Sequence, residues 1–430
     1  MDFQSVQTDS GQIGNPSHRK VTIMATNRRE FLTIAAGSSL ISLAPTIPQI
    51  LANAALAGEE SKEDRVLIVI QLSGGNDGLN TVVPFANDEY YKNRFTLAIG
   101  KNQVRKINDD LGFHPAMEGY SKLLESNRLA IVQGVGYPNP NRSHFESMDL
   151  WHTAHQTSDR QQYGWLGRYL DGSAGKDGRD VAAIHFGKEK QPLALSSEIT
   201  PVPSIQSMDR FKLELGDRRE LRNTIQKATG IKRSSDNELL SFVQQSATSA
   251  IVTAERVEEA QKNYKSEVRY PPTSLAHKLR TIAQLIDAGL STKIYYVTLN
   301  GFDTHSNQGQ AHFGLLRELT GATLAFLDDV SNHGHADRVL AMTFSEFGRR
   351  VKENASQGTD HGAAAPLFLA GNNVKPGLIG KHPSLTDLED GDVKFHTDYR
   401  RVYATLLEQW LGCKAESVLG RQFNSLPCLK

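Results

Sequence analysis

Four runs of consecutive apolar residues each stop abruptly at a polar loop. Val66 to Leu72 precedes SGGNDG, Leu129 to Val135 leads toward NPNRSHF, Ile294 to Leu299 precedes NGFDTH, and Val339 to Phe344 precedes Ser345 and Glu346. Unbroken apolar character, rather than alternation, marks strands covered on both faces, as in parallel sheets. Between the runs the apolar spacing becomes helical. Leu111 to Arg128 carries Met117, Tyr120, Leu123 and Leu124 on one face, and a helix capped near Ser143 carries Phe145, Met148, Leu150, Trp151 and Ala154. Glu238 to Tyr264 predicts a long helix that Pro271 and Pro272 separate from another starting at Thr273 or Ser274. Tyr399 to Trp410 closes the chain with a last amphipathic helix, while Gly172 to Ser207 reads as short β-like pieces. The pattern predicts an α/β fold with a mostly parallel central sheet flanked by helices, and residues 208–290 as a mainly helical insertion or cover. In such sheets the carboxyl ends of the strands converge on one crevice, so the four polar endings are expected to share one site.

The start of the chain changes that picture. Arg28 and Arg29, then Phe31 and Leu32, an apolar run from Ile34 to Ala52, and small residues at Ala55 and Ala57 read as a twin-arginine export signal over residues 1–57. Met24 offers a second start with a normal short basic lead. The expected mature chain is one α/β domain over 58–430, delivered to the periplasm or beyond by the twin-arginine machinery, with no further run near the roughly 18 apolar residues of a membrane span. Lys plus Arg equals Asp plus Glu at 48 each. That balance provides no net field to recruit nucleic acid or an anionic membrane. Only Cys413 and Cys428 are present, either as one disulfide pinning the tail or as free thiols, and both lie far from the polar endings.

Candidate chemistry sits at the endings. Asp77 offers a carboxylate at the tip of a glycine-rich turn, against the plainer reading of a loop acid. Ser143, at or beside a helix N-cap, has its oxygen among unsatisfied N–H groups that favour a developing alkoxide, although serine caps many ordinary helices. His144, His152 and His155 read as structural or exposed. Asp303 and His305 lie two positions apart, so an extended segment points both to one side, and imidazole with carboxylate suits zinc or manganese. Asp360 and His361 are adjacent, downstream of Glu346. No Gly-x-Ser-x-Gly elbow supports a serine triad.

Taken together, LSGGNDGLNTVVP, RSHFESMDLW, NGFDTHSNQ, FSEFGRR, GTDHG and HTDYRRVYATLLEQWLG, behind a twin-arginine leader, resemble the exported bacterial family known as domain of unknown function 1501. That family is grouped with the alkaline phosphatase-like superfamily, which hydrolyses phosphate or sulfate esters or transfers phosphoryl groups with paired divalent metals. The resemblance implies metal ligands at Asp77, Asp303, His305, Glu346, Asp360 and His361, with Asp303 and His305 more tightly spaced than in the phosphatases. It implies Ser143 as nucleophile, with Arg142 or Arg349 forking onto ester oxygens. The superfamily's last histidine has no clear counterpart, His382 and His396 being the two candidates, and the Cys-x-Pro-x-Arg sulfatase motif is absent. The expectation is an exported hydrolase or transferase dependent on a divalent metal, zinc first and manganese or calcium as alternatives, acting on a small or polymer-borne anionic ester. The alternative is a non-catalytic binding or accessory protein on the same scaffold.

Overall fold

Val66–Ser73 forms the central strand β1, and its alternating side chains explain the layers around it. Ile68, Ile70 and Leu72 face one core, Leu67 and Val69 the other. Both faces are apolar because both are covered. A computed structural model describes residues 64–155, 162–173, 181–205, 262 and 264–430. The expected export signal and most of the expected helix from Glu238 lie outside the described residues.

The other strands of the main sheet are β2 (Leu129–Gly136), β3 (Ala183–Phe186), β4 (Ser204–Ile205), β5 (Ile294–Asn300), β6 (Val339–Ser345), β7 (Ala365–Ala370), β8 (Gly377–Ile379) and β9 (Thr397–Asp398). Their spatial order is β8-β2-β7-β6-β1-β5-β3-β4, with β9 also paired to β2. All pairs are parallel except those made by β7, which runs against both β6 and β2. This confirms the mostly parallel sheet and has a direct consequence. β1, β2, β5 and β6 point the same way, so their carboxyl ends open at one rim. Because β7 starts where β6 ends, the loop between them leaves and returns at that rim.

One core holds helices α1 (Glu118–Glu125), α4 (Ser274–Asp287) and α5 (Gln308–Asn332). The opposite core holds α2 (His144–Thr153), α3 (Trp165–Ser173) and α6 (Tyr399–Thr405). Thr273 caps α4 by accepting from the Ala276 N–H, as the sequence suggested. Yet α4 is no peripheral cover, because Leu275, Leu279, Ile282 and Ile286 are fully buried against α5 and the sheet. The expected helix from Leu111 begins only at Glu118. Gly112–Phe113 instead pairs with Val82–Val83 and Arg105–Lys106 in a small three-stranded sheet, and Pro115 interrupts the run before the helix. Cys413 and Cys428 are free thiols, with burial pushing both up to about 11. Among the described residues no helix is long and apolar enough to cross a membrane.

Candidate metal centre

The loop after β2 contains Pro138 and Pro140, which keep it extended until Ser143 takes the N-cap of α2 with φ −82° and ψ 128°. Asn141 accepts from the Ser143 N–H at 2.8 Å, and the Ser143 side chain makes no capping hydrogen bond. This turn presents His144, the first residue of α2, at the sheet rim. His144 and His361 rings lie 4.3 Å apart, both against Phe347, and His305 lies 4.6 Å from His361.

All three imidazoles turn toward one oxygen. Asp303 Oδ1 lies 3.1 Å from His305 Nε2, 3.1 Å from His361 Nε2 and 3.4 Å from His144 Nε2. His144, Asp303 and His361 bring donor atoms within 4.8 Å of one another, the group of metal-ligating type found among the described residues. His305 adds a fourth donor, its Nε2 only 2.9 Å from that of His361.

The opposite ring nitrogens explain the convergence. His144 Nδ1 is 2.9 Å from Glu346 Oε1, His305 Nδ1 is 3.2 Å from Asp360 Oδ1, and His361 Nδ1 is 2.7 Å from the Arg142 carbonyl oxygen. A carbonyl or an ionised carboxylate only accepts, so each Nδ1 must donate, and each neutral ring then has a lone pair at Nε2. His144 Nε2 is buried and has no hydrogen-bond partner. Three lone pairs and a carboxylate oxygen thus face one locus, a donor set of metal-ligating type.

Electrostatics follow the same geometry. Burial pulls the Asp303 carboxyl up, but the hydrogen bond and charge of Arg349 outweigh it and hold the pKa at about 2. The hydrogen bond to Glu346 raises His144, and burial lowers His361. Asp360 is lowered, chiefly by the Asn354 amide. Glu346 is itself fixed, accepting from the Gly74 N–H at 2.8 Å and the Ser345 hydroxyl at 2.9 Å.

Arg349 locks the rim together. Its fully buried guanidinium donates to the Gly75, Thr359 and Phe302 carbonyls at 2.8, 2.6 and 3.0 Å, to the Gly74 carbonyl, and to Asp303 at 2.7 Å. The loops after β1, β5 and β6 therefore share one cation. Gly74 is required there, since φ is +123° and a Cβ would stand 2.2 Å from the Asp303 nitrogen.

The expected ligands separate into groups. Asp303, His305 and His361 meet at the centre, while Glu346 and Asp360 act one step behind, orienting His144 and His305. Asp77 does not join them. Both its oxygens are taken by Arg94, at 2.5 and 3.0 Å, and the Gln308 amide donates to Oδ2 at 2.5 Å. Burial raises this carboxyl, but Arg94 outweighs it and holds the pKa at about 2. The two arginines expected to grip substrate are also committed, Arg349 to the rim and Arg142 to Asp392 at 2.6 Å. His382 and His396 sit near Gly380 and Gln133, away from this convergence, with the His396 ring packed where Gly134 would hold a side chain.

Sequence reasoning missed His144, treating it as structural or exposed because its neighbour Ser143 absorbed the signal. Its place as the first helical residue after a strand-end loop was the available clue. Arg94 was missed altogether.

The family described as "Protein of unknown function (DUF1501)" matches residues 64–422. No curated protein matches the sequence. Similar solved structures include a protein in the alkaline phosphatase superfamily from Vibrio parahaemolyticus, at 8% identity over 83% of this chain and 69% of that one, with a TM-score of 0.38. The lipoteichoic acid synthase LtaP from Listeria monocytogenes is similar at 10% identity over 83% and 76%, TM-score 0.40. The PsFucS1 sulfatase from Pseudoalteromonas sp. is similar at 12% identity over 89% and 75%, TM-score 0.38.

Proposed function

The chain belongs to the family described as "Protein of unknown function (DUF1501)", and from its strand-end centre we propose an exported metal-dependent hydrolase or transferase of phosphate or related esters. One observation carries the reading. Three imidazoles, each held by an acceptor at Nδ1, direct Nε2 toward a single Asp303 oxygen, and His144 Nε2 is left buried without a partner. Carboxylate-and-carbonyl-oriented histidines are how proteins prepare a cation site. The three-histidine, one-carboxylate donor set fits zinc and also manganese, whereas calcium prefers six to eight oxygens.

A divalent cation in this set supplies Lewis acidity, polarising an ester oxygen and lowering the pKa of a hydroxyl nucleophile. The chain's own residues do the rest. His144, His305, His361 and Asp303 would hold the ion, and Glu346, Asp360 and the Arg142 carbonyl fix the rings. Arg349 keeps Asp303 ionised and the three loops in register. Ser143 is the proposed nucleophile, because it adjoins His144, is exposed, and spends nothing on capping. The positive end of α2 favours its ionised form.

Zinc content and aryl phosphate and aryl sulfate turnover of the mature chain test the proposal, alongside Ser143→Ala. Turnover is expected in the parent and lost in the variant, and full activity in Ser143→Ala would remove that residue from the mechanism. Export is tested by replacing Arg28 and Arg29 with lysine, which should retain the precursor in the cytoplasm. A cation-binding scaffold without turnover is the second reading, favoured by Asp77, whose pairing with Arg94 removes it from a two-metal scheme. Bound zinc with no ester cleavage would select it.

A further inference from the structure

The three imidazoles of the centre are not held alike. His144 leans on Glu346, whose side chain is 1% exposed and fixed by the Gly74 N–H, and His361 leans on the Arg142 carbonyl. His305 leans on Asp360, whose side chain is 54% exposed. Water competes for a carboxylate that faces it, so a pairing of this kind contributes little by itself to holding a ring in place. A further contact supplies the hold. In the loop between β6 and β7, the half-buried Asn354 accepts at Oδ1 from the Ser356 and Gly358 N–H groups, each at 3.0 Å. Its Nδ2 donates to the His305 carbonyl at 3.0 Å and to Asp360 Oδ1 at 3.1 Å. The N–H groups require an acceptor and the two oxygens require a donor, so the amide has one orientation. One side chain thereby ties down both the backbone of His305 and the carboxylate behind its ring. Gly358 permits the close approach, since a Cβ there would stand 2.2 Å from the His305 carbonyl carbon.

Resting on the metal-dependent reading above, we infer that Asn354 is the positioning residue that makes His305 a ligand, so that the loop between β6 and β7 sets whether the centre offers four donors or three. Zinc–nitrogen bonds of about 2 Å leave little latitude for a ring that wanders. While Asn354 holds Asp360 and the His305 peptide, Nε2 stays aimed at the Asp303 oxygen. His305 is also the most exposed of the three rings, at 44%, and is therefore the one with room to leave. Its departure leaves His144, Asp303 and His361, the compact group whose donor atoms lie within 4.8 Å of one another. Three protein donors with one position open is the composition of zinc centres that admit substrate, and four donors is that of closed ones.

The test compares the mature chain with Asn354→Ser, His305→Ala and the double variant of the two. Zinc affinity is read by competition with a chromophoric chelator, and ligation of His305 by the imidazole ¹⁵N spectrum of the zinc-loaded chain. Serine retains a turn-forming acceptor and adds no charge, but it is too short to reach His305 and Asp360. The variant should unfold in urea as the parent does, because backbone bonds from Asn307 to Ser356 and from Thr359 to Thr304 also hold the turn. Its zinc affinity should fall about tenfold, and His305 Nε2 should lose the shift of a ligated nitrogen. In the His305→Ala background the same substitution should change affinity by less than about twofold, since it acts through that ring alone, whereas a merely structural role would weaken both backgrounds equally. Parent-like affinity with His305 still ligated in Asn354→Ser overturns the inference, as does an undiminished loss when His305 is absent. A parent chain that binds no zinc contradicts the metal-dependent reading, and this inference falls with it.

Discussion

Asp77 and Asp303 close the loops after two adjacent parallel strands, and both carboxyls are held near a pKa of about 2. They are nonetheless opposite in character. Asp77 is fully buried, and a bidentate guanidinium supplies the whole of its countercharge. Asp303 is half exposed and meets one arginine together with three imidazole nitrogens that have electron pairs to give. An acid at a strand end is thus no ligand in itself. The partners decide: where they neutralise the carboxylate the site is a structural pin, and where they add lone pairs the donor set is of the type that could hold a cation.

The contrast breaks most visibly at Arg94. Arg94→Met leaves Asp77 buried and unpaired, and should cost about 3–5 kcal/mol in urea unfolding while zinc stoichiometry stays as in the parent. Unchanged stability would mean that the pair is no pin. Next comes Glu346→Gln, which removes the carboxylate behind His144. Zinc affinity, measured by competition with a chromophoric chelator, should fall about 10–100-fold without loss of the fold.

A smaller effect separates the two acids by pH. The Asp77 carboxyl lies below its ordinary value, so its contribution is fully present above the usual carboxylate range and is lost as pH falls toward about 2. The gap between 3.8 and about 2 corresponds to about 2 kcal/mol. Acid unfolding of Asp77→Asn should lack that limb. Asp303→Asn should change the acid limb less, since solvent screens the half-exposed group. Least of all, His382→Ala and His396→Ala should leave zinc affinity unchanged, and a loss in either would reopen the question of a missing histidine ligand.

How much of this was legible in the sequence depended on the range of the interaction. Continuous apolar runs announced β1, β2, β5 and β6, because burial on both faces writes itself into consecutive residues. The common rim followed from their parallel direction, and with it the convergence of Asp303, His305 and His361. Pairings across the chain left no such trace. Gln308 is 231 positions from Asp77, and the Glu346 contact with His144 spans 202. Nothing local distinguishes a loop acid that has found an arginine from one that has not. His144 was lost for a related reason, since a residue beside an N-cap serine looks like ordinary helix chemistry until its ring is seen at the rim. Ser274–Asp287 was expected within a helical insertion or cover because that stretch holds no clustered metal-type residues, yet its apolar face fills the core under the sheet.

Zinc titration of three chains, the parent, Asp77→Asn and the double variant Asp303→Asn with His361→Ala, reaches the central claim most directly. The account predicts one tightly bound equivalent in the parent and in Asp77→Asn, and none in the double variant. Retention of zinc by the double variant, together with its loss in Asp77→Asn, would contradict it.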